Sequence, residues 1–340
     1  RLFLSRSSRY VAGSMRRLPK QLKSAVDFLT DCTHVQSPRP LLLALAALVV
    51  LFTYPAAARE DVTQLPIINY QQRFLPVVQR NGMVASPERL AAEIGTDIMR
   101  QGGNAVDAAV ATGFALAVTY PRAGNLGGGG FMLIHLADDD RQTLIDYRET
   151  APGAAHRDLF LDEEGEVDRR REFFSHESAG VPGTVAGMLY ALEKYGTMER
   201  RKVLAPAIAL AENGMEVSFA LNHEIAARAE QLRKNPEARR LFLTEDGNAP
   251  AIGATWRQTD LAWTLRQIAE YGLDGFYRGE VAGRLVAEME AGGGLITARD
   301  LAAYRVVERE PVRGSYKGFE IISTPPPSSG GVHIIQMLNV

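Results

Sequence analysis

The chain has 340 residues, of which 46% are hydrophobic, with 38 Lys and Arg against 40 Asp and Glu and a single cysteine. The ordinary apolar content and the net charge of −2 exclude an intrinsically disordered chain, and one cysteine excludes a framework of intramolecular disulfides. Because there is no basic excess, nucleic acid is not expected as a main partner.

The first 58 residues differ in character from the rest of the chain. They carry eight Lys or Arg and two Asp, a net charge of +6, so the remaining 282 residues carry −8. Residues 41–52 (LLLALAALVVLF) are apolar and uncharged, with Arg39 before them and an A-x-A ending at Ala58 after them. These are the parts of a secretory signal peptide, and the run is shorter than the roughly 20 apolar residues that span a bilayer. We therefore predict cleavage after Ala58 and export to the periplasm or the cell exterior; an uncleaved leader acting as a membrane anchor is the alternative.

We predict three parts in the chain: the leader at 1–58, an extended polar segment at 59–80 and a folded region at 81–340. No internal repeat and no long linker rich in Gly, Ser or Pro divides the folded region. It ends in an apolar, helix-like run at 333–340 that has neither a cap nor a polar tail. The folded region is therefore expected to be truncated at its C-terminus.

Helical patterns account for most of the folded region. Ser86 and Pro87 predict the start of a first helix, as a capping hydroxyl followed by proline at the first helical position, and Gly102-Gly103 predicts its end. Asn104 is expected to cap a second, alanine-rich helix at 105–119. The other predicted helices are 183–195, 202–213, 218–234, 259–271, 276–291 and 298–304.

A β-hairpin is predicted after the second helix. The glycine-rich loop at 124–130 leads into an apolar run at 131–136 that is typical of a buried strand. Three aspartates at 138–140 are typical of a turn, and residues 143–148 predict the returning strand. Shorter β-like runs follow at 306–309, 312–316 and 319–323.

The glycine run GNLGGGG at 124–130 has three interpretations. A phosphate cradle requires glycines that open a helix, whereas these open a strand and no Gly-Lys-Ser/Thr follows, so nucleotide binding is disfavoured. Close approach of backbones in a core is the simplest interpretation. The third is a loop that lines the wall of an active site.

Spacing alone shows no complete catalytic set. The six histidines include no H-E-x-x-H motif, so the usual zinc signature is absent and no metal site is predicted, and no G-x-S-x-G elbow occurs. Cys32 precedes the predicted cleavage point, so the mature chain is expected to have no thiol nucleophile. His135 is expected to be a core or edge residue of its strand. Ser328-Ser329 is expected to belong to a loop and helix cap, with a nucleophilic role as the alternative.

Asp146, Arg148 and Glu149 form a charged cluster at the end of the second hairpin strand. Asp146 and Arg148 are two residues apart and therefore share a face of that strand. A guanidinium at the end of a sheet can bind a substrate carboxylate through two parallel hydrogen bonds. An internal ion pair of Arg148 with Asp146 or Glu149 is the alternative, and on spacing alone the ion pair is favoured.

Eight further motifs are distributed along the folded region. They are GMVAS at 82–86, GGNAVDAAVA at 102–111, AGNLGGGGFM at 123–132, DYRETAP at 146–152, GVPGTVAG at 180–187, EYG at 270–272, GGLITARDLAAY at 293–304 and PPPSSGGVH at 325–333. In content, order and spacing the chain resembles the large subunit of γ-glutamyltranspeptidases over residues 80–340.

This resemblance implies an α/β fold of the α+β kind, helix-rich, as the large-subunit part of the αββα sandwich of N-terminal-nucleophile hydrolases. It implies a precursor that cleaves itself into a large and a small subunit. The new N-terminal threonine of the small subunit is then the nucleophile, and its α-amine is the general base. The implied reaction transfers the γ-glutamyl group of glutathione or other γ-glutamyl compounds, through an acyl-enzyme, to water or to an amino-acid or dipeptide acceptor. No metal or organic cofactor is implied.

The resemblance also changes the interpretation of the charged cluster. By motif, Arg148 corresponds to the arginine that binds the substrate α-carboxylate, which now favours the clamp over the ion pair; Glu149 is expected to orient it or to line the pocket. The glycine run and the segment 325–333 are expected to be scaffold near the site.

The nucleophilic threonine is expected beyond Val340, so the chain alone is predicted to hold part of the substrate pocket, to depend on the small subunit as its partner and to be inactive. Two alternatives stay open. One is a related exported acylase acting on cephalosporin side chains or poly-γ-glutamate, and the other is a non-catalytic relative that serves as a binding or scaffold subunit.

Overall fold

The computed structural model describes residues 77–340, which form a single unit. The apolar run at 41–52, the cleavage point after Ala58 and most of the segment 59–80 lie outside the described residues, so what the sequence indicates there stays a prediction. None of the helices in residues 77–340 combines the length and hydropathy that a membrane span requires.

The first helix, α1 (Arg89–Arg100), begins two residues later than Pro87 predicts. Its cap is Glu88, whose carboxylate accepts the backbone N–H groups of Leu90 and Ala91 at 2.8 and 3.4 Å. Ser86 instead accepts the N–H of Glu88 at 3.3 Å. The prediction of Ser86 as the cap is therefore wrong, because the longer glutamate side chain reaches the free amides of the first turn.

The second helix, α2 (Ala105–Thr119), has the predicted bounds and the predicted cap, Asn104. Asp107 completes a capping box with a fully buried carboxylate that accepts the N–H of Asn104 at 2.8 Å. The same carboxylate accepts the N–H groups of Thr197 and Met198 at 2.9 and 3.1 Å, and the Thr197 hydroxyl at 2.7 Å. Asp107 therefore ties the start of α2 to a loop 90 residues further along the chain.

Replacing Asp107 with Asn tests this link. The variant keeps the side-chain shape but turns an amide group toward the N–H donors, so we expect the free energy of unfolding to fall by about 1–3 kcal/mol. A urea titration of the purified protein measures the loss. Asp97→Asn, on the exposed face of α1, is the matched control and should change the stability by less than about 0.5 kcal/mol. Equal stability of wild type and Asp107→Asn would contradict the link.

The pH dependence of this contribution has a definite sign. Burial alone would raise the pKa of Asp107, but hydrogen bonds from Thr197, Asn104 and Met198 outweigh burial and hold the pKa below its ordinary value of 3.8. The carboxylate therefore stabilises the fold above about pH 4, and this contribution is lost as the pH falls through the lower, folded-state pKa. Asp107→Asn should accordingly lose less stability than wild type on acidification below about pH 4.

The predicted hairpin consists of β1 (Phe131–Leu136) and β2 (Arg141–Asp146), which pair antiparallel with Phe131 opposite Asp146. Helices dominate the following region. They are α3 (Arg169–Phe174), α4 (Thr184–Tyr195), α5 (Arg200–Asn213), α6 (Phe219–Leu232), α7 (Pro236–Phe242), α8 (Thr259–Tyr271), α9 (Asp274–Tyr277), α10 (Glu280–Gly292) and α11 (Ala298–Ala303). Between them, the short strands β3 (Met215–Glu216) and β4 (Thr255–Trp256) pair with each other.

Most of these helices begin and end within two residues of the predicted bounds. The predicted helix 276–291 instead divides into α9 and α10 at Gly279, whose N–H donates to the carbonyl of Asp274 at 2.7 Å and so closes α9. The helices α3 and α7 were not predicted, because RRREFF and PEARRLF are too short to show a helical period.

The last described elements are β5 (Val307–Arg309), β6 (Val312–Tyr316), β7 (Phe319–Ser323) and α12 (Gly330–Leu338). β5 pairs with β2 to give a three-stranded antiparallel sheet in the order β1-β2-β5, and β6 and β7 form a separate hairpin. Ile134 and Ile145 lie in the core on one face of the larger sheet, whereas Leu133 on the other face is 44% exposed. The prediction of β1 as a buried strand is therefore wrong for its outer face, and His135 is an exposed residue of an edge strand.

The hydrophobic core packs two helices, α2 and α4, against the strand β2. The helix α2 has buried apolar residues on all its sides, and it contacts α1, α4 and α5. Phe114 of α2, Val185 of α4 and Ile145 of β2 are all fully buried in this core. The start of α4 is thereby held close to the point where the chain leaves β2.

Candidate functional site

Arg148 lies two residues beyond the end of β2, so the predicted strand 143–148 is displaced by two residues from the observed one. Tyr147 still pairs with Gly130, donating its N–H to the Gly130 carbonyl at 3.0 Å and accepting the Gly130 N–H at 3.3 Å. Tyr147 is buried, which raises its pKa to about 12, whereas Arg148 and Glu149 are exposed. Both predicted site residues therefore stand together at the surface, where the sheet ends.

Asp146 does not form the ion pair with Arg148 that the spacing favours. Its carboxylate instead accepts the Nε–H of Arg309 at 2.7 Å and the backbone N–H of Arg148 at 3.0 Å. Among residues 77–340, no salt bridge involves the Arg148 guanidinium or the Glu149 carboxylate. Within the described part of the chain, the Arg148 guanidinium therefore remains available for an external anion.

The backbone of the glycine run at 124–130 packs closely against the segment that carries Arg148, and we call this backbone the glycine wall. The carbonyl of Gly128 accepts the N–H groups of Gly183 and Thr184, at 2.8 and 2.9 Å, at the start of α4. A Cβ on Gly129 would lie 2.5 Å from the Tyr147 carbonyl oxygen and 2.7 Å from the Glu149 nitrogen, distances that real side chains do not reach. The prediction that these glycines allow backbones to approach closely is confirmed, and the wall they form adjoins the candidate site.

Tyr304 is a residue of this site that sequence reasoning missed. It follows α11, and its hydroxyl donates a hydrogen bond to the carbonyl of Arg148 at 2.9 Å. The start of α11 is anchored nearby, because Asp300 completes a capping box with Thr297 and also accepts the N–H of Gly153 at 2.9 Å. Tyr304 ends the motif GGLITARDLAAY, but no spacing rule connects that motif with Arg148, so the sequence held no signal for this contact.

Ser328 and Ser329 lie in the loop before α12. The Ser328 hydroxyl accepts the N–H of Gly330 at 3.2 Å and lies 3.4 Å from the Thr324 hydroxyl. Within residues 77–340, no His, Asp or Glu side chain hydrogen-bonds to either serine. The Ser329 side chain, at the N-cap position, makes no capping hydrogen bond, so only Ser328 caps an amide of α12. These contacts support a loop with a Ser328 cap rather than an activated nucleophile.

No group of three or more His, Cys, Asp or Glu side chains in the described part of the chain is arranged to hold a metal ion. Within residues 77–340, the exposed Arg148 guanidinium can bind an anion, on a backbone fixed by the glycine wall, Asp146 and Tyr304.

Known proteins share both the sequence and the fold. Residues 91–340 match the family model described as Gamma-glutamyltranspeptidase. The chain is 47% identical over 298 residues to a glutathione hydrolase proenzyme of Escherichia coli (strain K12), covering 88% of this chain and 51% of that protein. It is 41% identical over 271 residues to the acylase ACY 1 proenzyme of Pseudomonas sp. (strain V22), covering 78% of this chain and 48% of that protein. The crystal structure of Helicobacter pylori γ-glutamyltranspeptidase matches with a TM-score of 0.76 at 46% identity, covering 78% of this chain and 76% of that one.

The fold is accordingly that of an N-terminal-nucleophile hydrolase, α+β and helix-rich with small sheets. More narrowly, the chain belongs to the γ-glutamyltranspeptidase family. It spans about half the length of the curated relatives it matches. The family resemblance and the fold class that it implied are confirmed, whereas the substrate-binding roles of Arg148 and Glu149 stay predictions.

Proposed function

We propose that the complete protein transfers γ-glutamyl groups, from glutathione and other γ-glutamyl amides, to water or to an amino-acid or dipeptide acceptor. The observation that carries this proposal is the exposed Arg148 guanidinium, which has no ion-pair partner within residues 77–340 and stands on a fixed backbone. A planar guanidinium binds a carboxylate through two parallel hydrogen bonds, and the α-carboxylate of a γ-glutamyl group is such a ligand. The name of the Escherichia coli relative, glutathione hydrolase proenzyme, supports the same substrate class.

In this proposal Arg148 binds the α-carboxylate and leaves the γ-amide carbonyl exposed to attack. The nucleophile is the N-terminal threonine of a small subunit cut from the same precursor beyond Val340, and its α-amine accepts the hydroxyl proton. The threonine oxygen adds to the γ-carbonyl, and the amine of the leaving group takes up a proton as it departs. Water or an acceptor amine then releases the γ-glutamyl group from the enzyme. Glu149, also exposed, orients Arg148 or lines the pocket.

The acylase relative favours a second candidate function, hydrolysis of amides of other acyl groups, for which a glutaryl amide serves as the test substrate. A glutaryl amide carries the same terminal carboxylate as a γ-glutamyl amide but lacks the α-amine, so we expect Arg148 to bind both. We therefore expect the discriminating groups to be those that bind the amine, in the part of the protein beyond Val340.

A panel of three anilides on the complete protein separates these functions. The γ-glutamyl anilide has both the carboxylate and the amine, the glutaryl anilide has the carboxylate only, and the pentanoyl anilide has neither. We expect efficient turnover of the first, slow turnover of the second and none of the third. Faster turnover of the glutaryl anilide would favour the acylase, and equal turnover of the pentanoyl anilide would remove Arg148 from substrate recognition.

A non-catalytic relative serving as a binding or scaffold subunit is distinguished by the coding sequence downstream of Val340. An in-frame threonine at a self-cleavage point supports the enzyme. A stop codon directly after Val340 supports the non-catalytic subunit.

We also propose that the protein is exported, on the strength of the apolar run at 41–52 and the A-x-A ending at Ala58. N-terminal sequencing of the large subunit from the exported fraction should begin at Arg59. A mature chain that retains residues 41–52 would contradict cleavage and support the anchored form.

A further inference from the structure

Side chains, rather than sheet partners, bind both backbone polar groups of Arg148. On one side Tyr147 pairs with Gly130, and on the other Thr150 pairs with Val181. Between these pairs, the N–H of Arg148 donates to Asp146 Oδ1 at 3.0 Å, and its carbonyl accepts the Tyr304 hydroxyl at 2.9 Å. The backbone of Arg148 is therefore held on both sides although no neighbouring strand reaches it.

Asp146 and Tyr304 are themselves held in place. Asp146 is 7% exposed and its second oxygen accepts the Arg309 Nε–H at 2.7 Å. Tyr304 is 8% exposed, and its ring stacks on Tyr277 with the centroids 5.8 Å apart and the planes within 6°. Burial, followed by the nearby charges of Asp146 and Glu149, raises the pKa of Tyr304 above its ordinary value. Its hydroxyl therefore stays protonated and able to donate at neutral pH.

We propose that Asp146 and Tyr304 are positioning residues, which fix the Arg148 backbone so that its guanidinium meets the substrate carboxylate in one orientation. This inference rests on the proposed role of Arg148. A long, exposed arginine loses conformational freedom when it binds a ligand, and part of that loss is removed if its backbone is already fixed. Loosening either anchor should therefore weaken binding of the carboxylate without changing the chemistry at the γ-amide.

Tyr304→Phe in the complete, processed enzyme tests the first anchor. The variant keeps the ring stacked on Tyr277 and removes only the hydroxyl that holds Arg148. KM for a γ-glutamyl anilide should rise about three- to tenfold, the size expected for the loss of one neutral hydrogen bond, while kcat changes by less than about twofold.

Tyr277→Phe is the matched control. It removes the hydroxyl of the stacked neighbour, which donates to the Pro182 carbonyl at 2.9 Å and accepts the Ala186 N–H at 3.2 Å. We expect a lower Tm but an unchanged KM, since this hydroxyl does not contact Arg148. A similar rise of KM in both variants would overturn the proposal, because general loosening of the core would then explain it.

The second anchor is tested by rescue. Asp146→Ala removes the acceptor for the Arg148 N–H and should raise KM, whereas Asp146→Asn retains an oxygen that can accept the same N–H and should restore part of the binding. A wild-type KM in Asp146→Ala would overturn the role of Asp146. If Asp146→Ala does not fold, it is combined with Arg309→Gln, so that no guanidinium is left without its partner. The double variant is compared with Arg309→Gln alone, and an equal KM in the two would also overturn the role.

A double variant separates failure of this inference from failure of the proposed function. If Tyr304 acts through Arg148, adding Tyr304→Phe to Arg148→Ala should change kcat/KM by less than about twofold. An undiminished effect in that background would overturn the positioning role. Wild-type kinetics in Arg148→Ala alone would refute binding of the carboxylate by Arg148. A large loss of kcat/KM in Arg148→Ala together with a normal KM in Tyr304→Phe would support carboxylate binding by Arg148 and refute the positioning role of Tyr304.

Discussion

A polypeptide that ends at Val340 is expected to turn over no γ-glutamyl anilide above the background rate. Arg148 is proposed to bind substrate, but among residues 77–340 no His, Asp or Glu side chain hydrogen-bonds to a serine of the loop before α12. Loss of a nucleophile typically lowers kcat by about 10⁴- to 10⁶-fold. The residual rate that an oxyanion hole still supplies is not expected either, because we expect the oxyanion-hole groups to lie in the small subunit as well.

The measurement compares that polypeptide with the complete precursor after self-cleavage, at equal concentration. Circular dichroism of the shorter polypeptide shows whether it has folded, so that an unfolded sample is not scored as an inactive one. Turnover by the folded shorter polypeptide would place the nucleophile within residues 1–340 and overturn the proposed division of labour between the two subunits.

In the complete protein, Arg148→Lys is expected to lower kcat/KM for γ-glutamyl substrates by about ten- to a hundredfold. Lysine keeps the positive charge but cannot form two parallel hydrogen bonds to a carboxylate, and one charge-assisted hydrogen bond contributes about 1.5–3 kcal/mol. Initial rates over a range of γ-glutamyl anilide concentrations give the ratio.

Arg157→Lys is the matched control for this variant. Arg157 lies nine residues further along, its side chain is 93% exposed, and its partner is the exposed neighbour Asp158. We expect its kinetics to equal those of wild type. If Arg148→Lys also behaves like wild type, Arg148 does not bind the substrate carboxylate.

Local signals in the sequence predicted those parts of the fold that depend on neighbouring residues. The bounds of α2 were predicted because Asn104 supplies a side-chain acceptor for the amides of the first turn. The hairpin was predicted because its strands and its turn follow one another directly. The start of α1 was not, because Ser86 and Glu88 both carry capping groups and only the packed helix shows which of them reaches the free amides.

The site was predicted only in part, because its supports come from distant sequence. Arg148 and Glu149 were predicted from their motif. The ion pair of Asp146 with Arg148, which the spacing favoured, does not form, and Asp146 pairs with Arg309 instead. Arg309 reaches Asp146 because β5 pairs with β2 in a register that sets Arg309 opposite Leu144, on the same face of the sheet as Asp146. A shift of one residue would turn Arg309 to the other face, and no periodicity within either strand predicts that register.

Tyr304 and Arg309 are far along the chain from the residues that they contact, Arg148 and Asp146, and this sequence separation has a consequence for biosynthesis. Tyr304 and Arg309 follow their partners by 156 and 163 residues, respectively. Since translation runs from the N-terminus, the hairpin can form from its own residues while the ribosome has yet to make either support. The nascent chain therefore cannot hold Arg148 in the mature geometry until almost all of this region has been synthesised. A chain whose synthesis stops before Tyr304 would contain the hairpin but lack the hydroxyl that binds the Arg148 carbonyl.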